Sequence, residues 1–563
     1  MTEPIDQPDP TSSGQTGQPD FDTSPVIFEE PDIAPPEDPE DQVRPSSVLR
    51  TATVVSARVV VGIIAVAVAG ATVAAAALLP LPSIRVAVPQ SIVNPVPTAE
   101  QLVCPGGALQ LSDASGADAS RSSALGRANV TAAATGSGLD RKALTASDAG
   151  TGGTASAPQL LSMPPATGSS TAGLLSGAQS ESVDTPDIAG ISSAACTAAV
   201  GDTWLVGGAT TVGRTTLITL SDPSAVSATV SLEIFGENGP VTSPGMDGIV
   251  VPAGGQRVLS LAGFAPNLAS PVVHVQSKGG QIVASLQQTT VRGIEPGGID
   301  FVGSQNSPTR TTVIPGVVLA GTGAVQARLG ENGFSDLETV LRVFLPGTKS
   351  TSASVSVIPE SALGASKTEA APATPAPASG SDAGTPTGTA IKVTLDPNQV
   401  TDLPLDDLAD GSYTIVITTA LPVVAGVRVS TAGTAAVAAR TDFAWLGAAA
   451  NLGSDVLIPV SSATSRGTSS LLHLENPTRK AANVTLRAVP TTDDNGNNSP
   501  ARNLSVTVPA GVAVEVPVVA GVSYRISGFT SLYGAVTAVS NGGVTGYAVQ
   551  PPEESSSPLR IYR

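Results

Sequence analysis

Two histidines, two cysteines, two tryptophans and a few aspartate-rich turns are the residues of this 563-residue chain whose types allow chemistry beyond packing. His274 stands in Val273-His274-Val275 and His473 in Leu472-His473-Leu474. Both read as strand positions facing away from their apolar neighbours, hence as partly exposed sheet histidines and not as a base or a metal ligand. No Gly-x-Ser-x-Gly elbow, phosphate loop or His-Glu-x-x-His pair accompanies them. Gly150-Thr151-Gly152-Gly153 lies in low-complexity sequence and reads as a linker. Asp493-Asp494-Asn495-Gly496-Asn497 alternates oxygens as a calcium loop does. Its glycine comes too early and Leu504 stands where the closing glutamate belongs, so it reads as a hairpin turn. Asp406, Asp407 and Asp410 before Gly411 read as a solvated loop. The expectation is a protein that is not an enzyme, with no catalytic residue, cofactor or metal.

Trp204, in Asp202-Thr203-Trp204-Leu205, and Trp445, in Asp442-Phe443-Ala444-Trp445-Leu446, are the candidate binding aromatics. An indole offers a flat apolar face to a sugar or peptide; the competing reading is a core anchor where one domain meets the next. Cys104 and Cys196 are expected to form a disulfide, two buried free thiols being the alternative. Two cysteines and two distant histidines are too few for a zinc site.

These residues must be positioned by a chain that is 13% charged, against about a quarter in an ordinary domain, with formal net charge −18 and six lysines. That balance excludes a nucleic-acid binder. Length alone suggests three or four folding units. Residues 1–58 hold twelve acids and three arginines among Pro, Gln, Ser and Thr, so 1–55 is expected to be a disordered acidic cytoplasmic tail. Residues 59–79 form an uncharged run of 21, long enough to cross a bilayer, so a transmembrane helix is expected over 56–82. A signal peptide would start earlier behind a basic leader, though the Ala-rich end leaves cleavage open. Arg44, Arg50 and Arg58 precede the run and only Arg85 closely follows it. The N-terminus is therefore expected inside, the bulk outside, and the lipid bilayer as a partner through 59–79.

Beyond the run, 83–202 reads as low-complexity sequence with a small, poorly packed β module tied by Cys104 and Cys196. The remainder repeats. Leu217 to Pro223, Ala228 to Phe235 and Val251-Pro252-Ala253-Gly254 return as Leu471 to Pro477, Asn483 to Val489 and Val508-Pro509-Ala510-Gly511. A degenerate copy lies between, where Gly411-Ser412-Tyr413-Thr414-Ile415 matches Gly521 to Ile526. Short alternating strands between Asn, Asp, Gly and Pro turns predict a mainly β chain of tandem antiparallel, Ig-like β-sandwiches. The expected domains are 203–300, 301–440 with a mobile insertion at 359–390, and 441–552, then a tail at 553–563. A propeller blade of about 40–50 residues is too short for this period, so three sandwiches in a row follow. Ser/Thr/Pro tracts suggest O-glycosylation, and Asn129 and Asn483 head N-glycosylation sequons.

The acidic leader, the Ala/Val-rich anchor, Val103-Cys104-Pro105-Gly106 and Thr203-Trp204-Leu205 resemble a family of high-GC Gram-positive envelope proteins known only as a domain of unknown function. The resemblance implies a membrane-anchored, extracytoplasmic protein without an established activity. Members tend to be encoded beside a glycosyltransferase, which implies a role in envelope glycan assembly. The leading expectation is a non-enzymatic binding or structural envelope protein that presents loops to cell-wall glycan or to another membrane protein. The second is an accessory subunit of a membrane glycosyltransferase, and the third a wall-acting hydrolase.

Overall fold

The computed structural model describes residues 61–71, 90–93, 99–111, 122–136, 138–146, 157–165, 173–362, 389–405, 407–433, 440–462, 467–489, 503–551 and 559–562. They fall into two compact units, Met1–Ala87 and Val88–Arg563. In the first, residues 61–71 are helical and expose Val61, Ile63, Ile64, Val66 and Val68. Among the described residues no helix is long and apolar enough to cross a membrane. The rest of the expected span, the acidic tail, the core of the insertion (363–388) and the Asp493 turn lie outside the described residues.

The second unit is mainly β, in antiparallel sheets. Period-two alternation builds them: Ala228–Gly236 buries Ala228, Val230, Leu232 and Ile234 while Thr229 and Glu233 face away. The best-formed copy has eight strand positions: Asp202–Val206, Arg214–Asp222, Ala228–Gly236, Ile249–Val251, Gly255–Ser260, Val272–Lys278, Val283–Arg292 and Glu295–Val302. Positions eight, seven, two and five form one sheet; one, six, three and four form the other. Ile218, Leu220 and Leu286 of the first sheet meet Val230, Leu232 and Val273 of the second in one core.

The same order recurs from Asp455–Pro459 to Gly543–Ala548, and from Thr309–Leu319 to Thr441–Gly447. In the latter copy positions six and seven are fused into the 22-residue strand Gly411–Ala432. Its first half pairs with Thr351–Pro359 and its second with Val340–Phe344. That copy ends with Thr441–Gly447, past the 301–440 boundary read from the sequence. In an immunoglobulin sandwich the first two strands are neighbours in one sheet. Here they lie in different sheets, an alternation nearer to a jelly roll.

A fourth, abbreviated copy precedes the other three. Ala189–Ala195, Leu175–Asp184 and Asn129–Ala134 supply positions eight, seven and two, and Glu100–Cys104, Gln159–Met163 and Asp140–Ala143 supply one, six and three. This copy is the small β module within 83–202, tied by Cys104 and Cys196, that the sequence led one to expect, and only the expected poor packing differs. Its core is small but closed, with Cys104, Val130, Ala132, Leu161 and Cys196 buried together. Alternating Ala with Ser or Thr has too little contrast in hydropathy for the strand period to register.

Numbered along the chain, the four copies close into a ring; they do not run in a row. The last strand of each packs on that of the next: Ala189–Ala195 on Glu295–Val302, this on Thr441–Gly447, this on Gly543–Ala548, and this back on Ala189–Ala195. Polar contacts cross each junction. Gln256 Nε2 donates to Pro105 O (2.9 Å), Arg342 Nη1 to Gly208 O (2.9 Å), and Ser180 Oγ to Ser462 O (2.9 Å), while His473 meets Glu360 (2.6 Å). Thr145–Ala146 and Ser361–Ala362 each add a short parallel strand to the sheet of the following copy. Gln90–Val93 pairs with Leu559–Tyr562, so part of the expected C-terminal tail is a strand.

One carboxylate occupies the hub of this ring. Gly190, Gly298 and Gly543 hold corresponding places on three of the central strands; the third copy has Asp442 there. Asp442, fully buried, accepts the amide N–H groups of Ile191 (3.0 Å), Ile299 (3.2 Å) and Val544 (3.4 Å), the residues that follow the three glycines. A Cβ at Gly190 or Gly298 would stand 2.6 or 2.5 Å from Asp442 Oδ1, so glycine there makes room for the carboxylate. Asp300 lies beside it and accepts Trp445 N–H (2.8 Å) and the Thr545 hydroxyl (2.8 Å). Burial pushes both carboxyls above their usual range; the N–H donors oppose this, and Asp442 raises Asp300 further.

Candidate functional site

The two cysteines lie in the core of the first copy, whereas both histidines and both tryptophans lie at or beside the junctions between copies. Both histidines are buried, which corrects the expectation of exposed sheet positions. Their strands turn away from their own cores as expected, but the opposite face meets a neighbouring aromatic or the next copy before it meets water. His274 stacks on Trp204, with ring centroids 4.0 Å apart, and its nitrogens meet Glu233 (2.8 Å) and Asp202 (3.0 Å). His473 lies between Glu360 Oε2 (2.6 Å from Nδ1) and Thr537 Oγ1 (2.8 Å from Nε2).

The Thr537–His473–Glu360 chain has the connectivity of a nucleophile, base and orienter. Thr537 is 1% exposed, however, so its hydroxyl is closed to substrate. Burial raises the Glu360 carboxyl, but His473, the Gly316 N–H and the Thr414 hydroxyl together hold it below its usual range. Glu360, His473 and Glu515 also place ligand atoms within 4.8 Å of one another. Both His473 nitrogens and both Glu360 oxygens already have partners, and Glu515 accepts from Ser412, so the cluster is satisfied as a hydrogen-bonded junction. Gly316, at φ +76°, sits in a bulge against this ring; an added Cβ would stand 2.8 Å from His473 Cδ2. Gly316→Ala is expected to cost about 1–3 kcal/mol, read from the denaturation midpoint.

Trp204 and Trp445 are 5% and 3% exposed, and both lie at the junction of the second and third copies. Trp204 packs with Phe344, Val400 and Val424 of the third copy. Trp445, on the third copy, enters the core of the second and donates Nε1–H to Gln288 Oε1 (2.7 Å). Neither ring offers a free face to a sugar; both occupy the anchoring position weighed against stacking.

The same junction holds an open cleft of about 280 Å³. Strand position two of both copies and position seven of the third send arginines into it, Arg214, Arg342 and Arg428, while Arg292 on position seven of the second approaches from beside it. The connection between the first two strands of the third copy carries a short helix, Thr322–Leu329, and the turn Ser335–Leu337, which brings in Asp336. Asp336 alone meets three guanidinium groups: Arg292 (2.6 Å), Arg214 (2.9 Å) and Arg428 (3.2 Å). Burial raises the Asp336 carboxyl, but the arginines pull it down to about 2. Arg342 pairs with Asp402 through Nε and Nη2, both at 2.9 Å, and lies 4.9 Å over the Trp445 ring. Burial and the neighbouring arginines lower Arg428 to about 10, and its Nε is buried without an acceptor.

Residues 145–463 match the model of a family of unknown function, DUF5719. The chain belongs to that family. The DUF5719 segment contains the arginine cleft and Asp442, while His473 lies beyond it. No curated protein matches the chain.

The arginines were not singled out from the sequence. The available signal was an arginine between apolar strand neighbours, as in Leu341-Arg342-Val343 and Val427-Arg428-Val429, on strands whose outer face meets another copy. A second missed group is Glu475, buried with Oε2 unpartnered and raised by that burial from 4.5 to about 7. Its folded pKa exceeds its unfolded one, so its stabilising proton is fully present below pH 4.5 and is lost as pH rises through about 7. Glu475→Gln is expected to stabilise the protein by about 2–3 kcal/mol at pH 8 and to change little at pH 4, measured by urea denaturation at both.

Proposed function

We propose that this is a single-pass, membrane-anchored cell-envelope protein of non-enzymatic, binding or structural type, with β-sandwich domains outside the membrane. The observation that carries the reading is the Cys104–Cys196 disulfide, which accounts for both cysteines and is a kind of bond that persists in oxidising compartments. It agrees with the uncharged run at 59–79 and the arginines on its N-terminal side. Extensive junctions between copies suit a rigid presenting surface. In cells stripped of their wall, added protease should cut after residue 80 and leave the N-terminal tail intact. The full chain should also stay with membranes in alkaline carbonate. A chain that washes off, or a C-terminal part that survives protease in intact stripped cells, would overturn the reading.

A further inference from the structure

The cleft between the second and third copies gathers guanidinium groups around one carboxylate, Asp336. Arg214, Arg342 and Arg428 line the cleft together with Asp336, Asp402 and Glu338, and Arg292 reaches Asp336 from beside it, so the junction holds four guanidinium groups and three carboxylates. Asp402 accepts from Arg342 and from the Ser270 hydroxyl, and the remaining Arg342 donors go to the carbonyls of Gly208, Pro271 and Ala269. Asp336 is shared by three guanidinium groups, those of Arg214, Arg292 and Arg428. Uncompensated buried charge is costly, and an isolated guanidinium cannot relieve it by losing its proton near neutral pH. The Arg428 Nε without an acceptor is a second sign that the donors outnumber the acceptors the chain supplies. The space beside them, about 280 Å³, is at the small end of ligand clefts and suits a small group.

We propose that this cleft is a binding site for a small oxyanion, a carboxylate or phosphate group, held by Arg214 and Arg428 beside Asp336. Guanidinium forks match the paired oxygens of both groups, and their weak hydration favours such pairing at a partly buried site. The Arg214 side chain is 20% exposed, against 8% for Arg428, and is the donor an entering anion meets first. The Trp445 ring, with Arg342 stacked over it, forms a fixed wall. The site does not depend on which side of a membrane the protein occupies, so its test is separate from the topology experiment.

The full chain, purified in detergent, is titrated calorimetrically with sodium phosphate and with sodium glucuronate at constant ionic strength set by sodium chloride. Saturable binding of either anion is expected, and which one binds identifies the preferred group. Arg214→Gln should weaken that binding roughly tenfold or more, the effect of losing one charge-assisted contact, while its thermal midpoint without anion stays near that of the native protein. Asp336→Asn removes the internal competitor, so its thermal midpoint should rise more with the bound anion than that of the native protein does. Should Arg214→Gln fail to fold, the Asp336→Asn comparison decides. No saturable binding of either anion, equal binding by a folded Arg214→Gln protein, or an Asp336→Asn midpoint no more sensitive to anion than the native one would each overturn the proposal.

Discussion

Replacing Asp442 by alanine is expected to destabilise the β unit by about 4 kcal/mol or more, because it strands several buried amide N–H groups at about 1–3 kcal/mol each. The acceptors lost serve Ile191, Ile299 and Val544, which come from the other three copies. No other side chain replaces them, since the corresponding residues there are Gly190, Gly298 and Gly543. Asp442→Asn keeps one carbonyl oxygen and should lose roughly half as much. Asp442→Gly repeats the residue of the other copies, yet it should be no better than alanine, because the hub needs one carboxylate and not a fourth glycine. Guanidinium denaturation of the three variants checks the order. A loss below about 1 kcal/mol for alanine would mean that water or a relaxed backbone satisfies the amides.

Removing the disulfide is the second large effect. Cys104 and Cys196 are 92 residues apart, so the chain-entropy account gives about 4–5 kcal/mol for the loss of the bond. The bridge lies where other copies use a backbone bridge between the first strand and the segment after the last, as Trp204 does with Gln305 and Val313 with Ala449. The first copy has that bridge too, at Val103 and Thr197, but it lacks strand positions found in the others among the described residues. A covalent tie therefore compensates where the core is smallest. Paired Cys104→Ser and Cys196→Ser substitutions should lower the denaturation midpoint sharply under oxidising conditions and add nothing further under reduction. If the native protein loses no stability on reduction, the first copy is held by its neighbours alone.

Much of this architecture follows from local chemistry. Alternation in Ala228–Gly236 or Val272–Lys278 marks a strand and tells which residues enter its own core, because a strand's side chains must point to opposite faces. The Val-Pro-Ala-Gly turns marked two of the repeats, and a chain with two cysteines allows one internal pair. Membership of an unknown-function family was also legible in short motifs.

Alternation does not tell what the outward face meets. His473, Arg342 and Thr131 all leave their own cores, and each is covered by another part of the ring, so polarity that reads as solvent exposure is interface. Nor does it show that the chain closes on itself, since closure rests on contacts between residues as far apart as Ser193 and Thr545 (2.9 Å). Arg214 and Arg428 become one site only because strands two and seven of adjacent copies face each other across a junction. Strand period is a property of the pleated backbone and is written locally. The burial of a charged or polar side chain is a property of its neighbour, and only the folded ring supplies that neighbour.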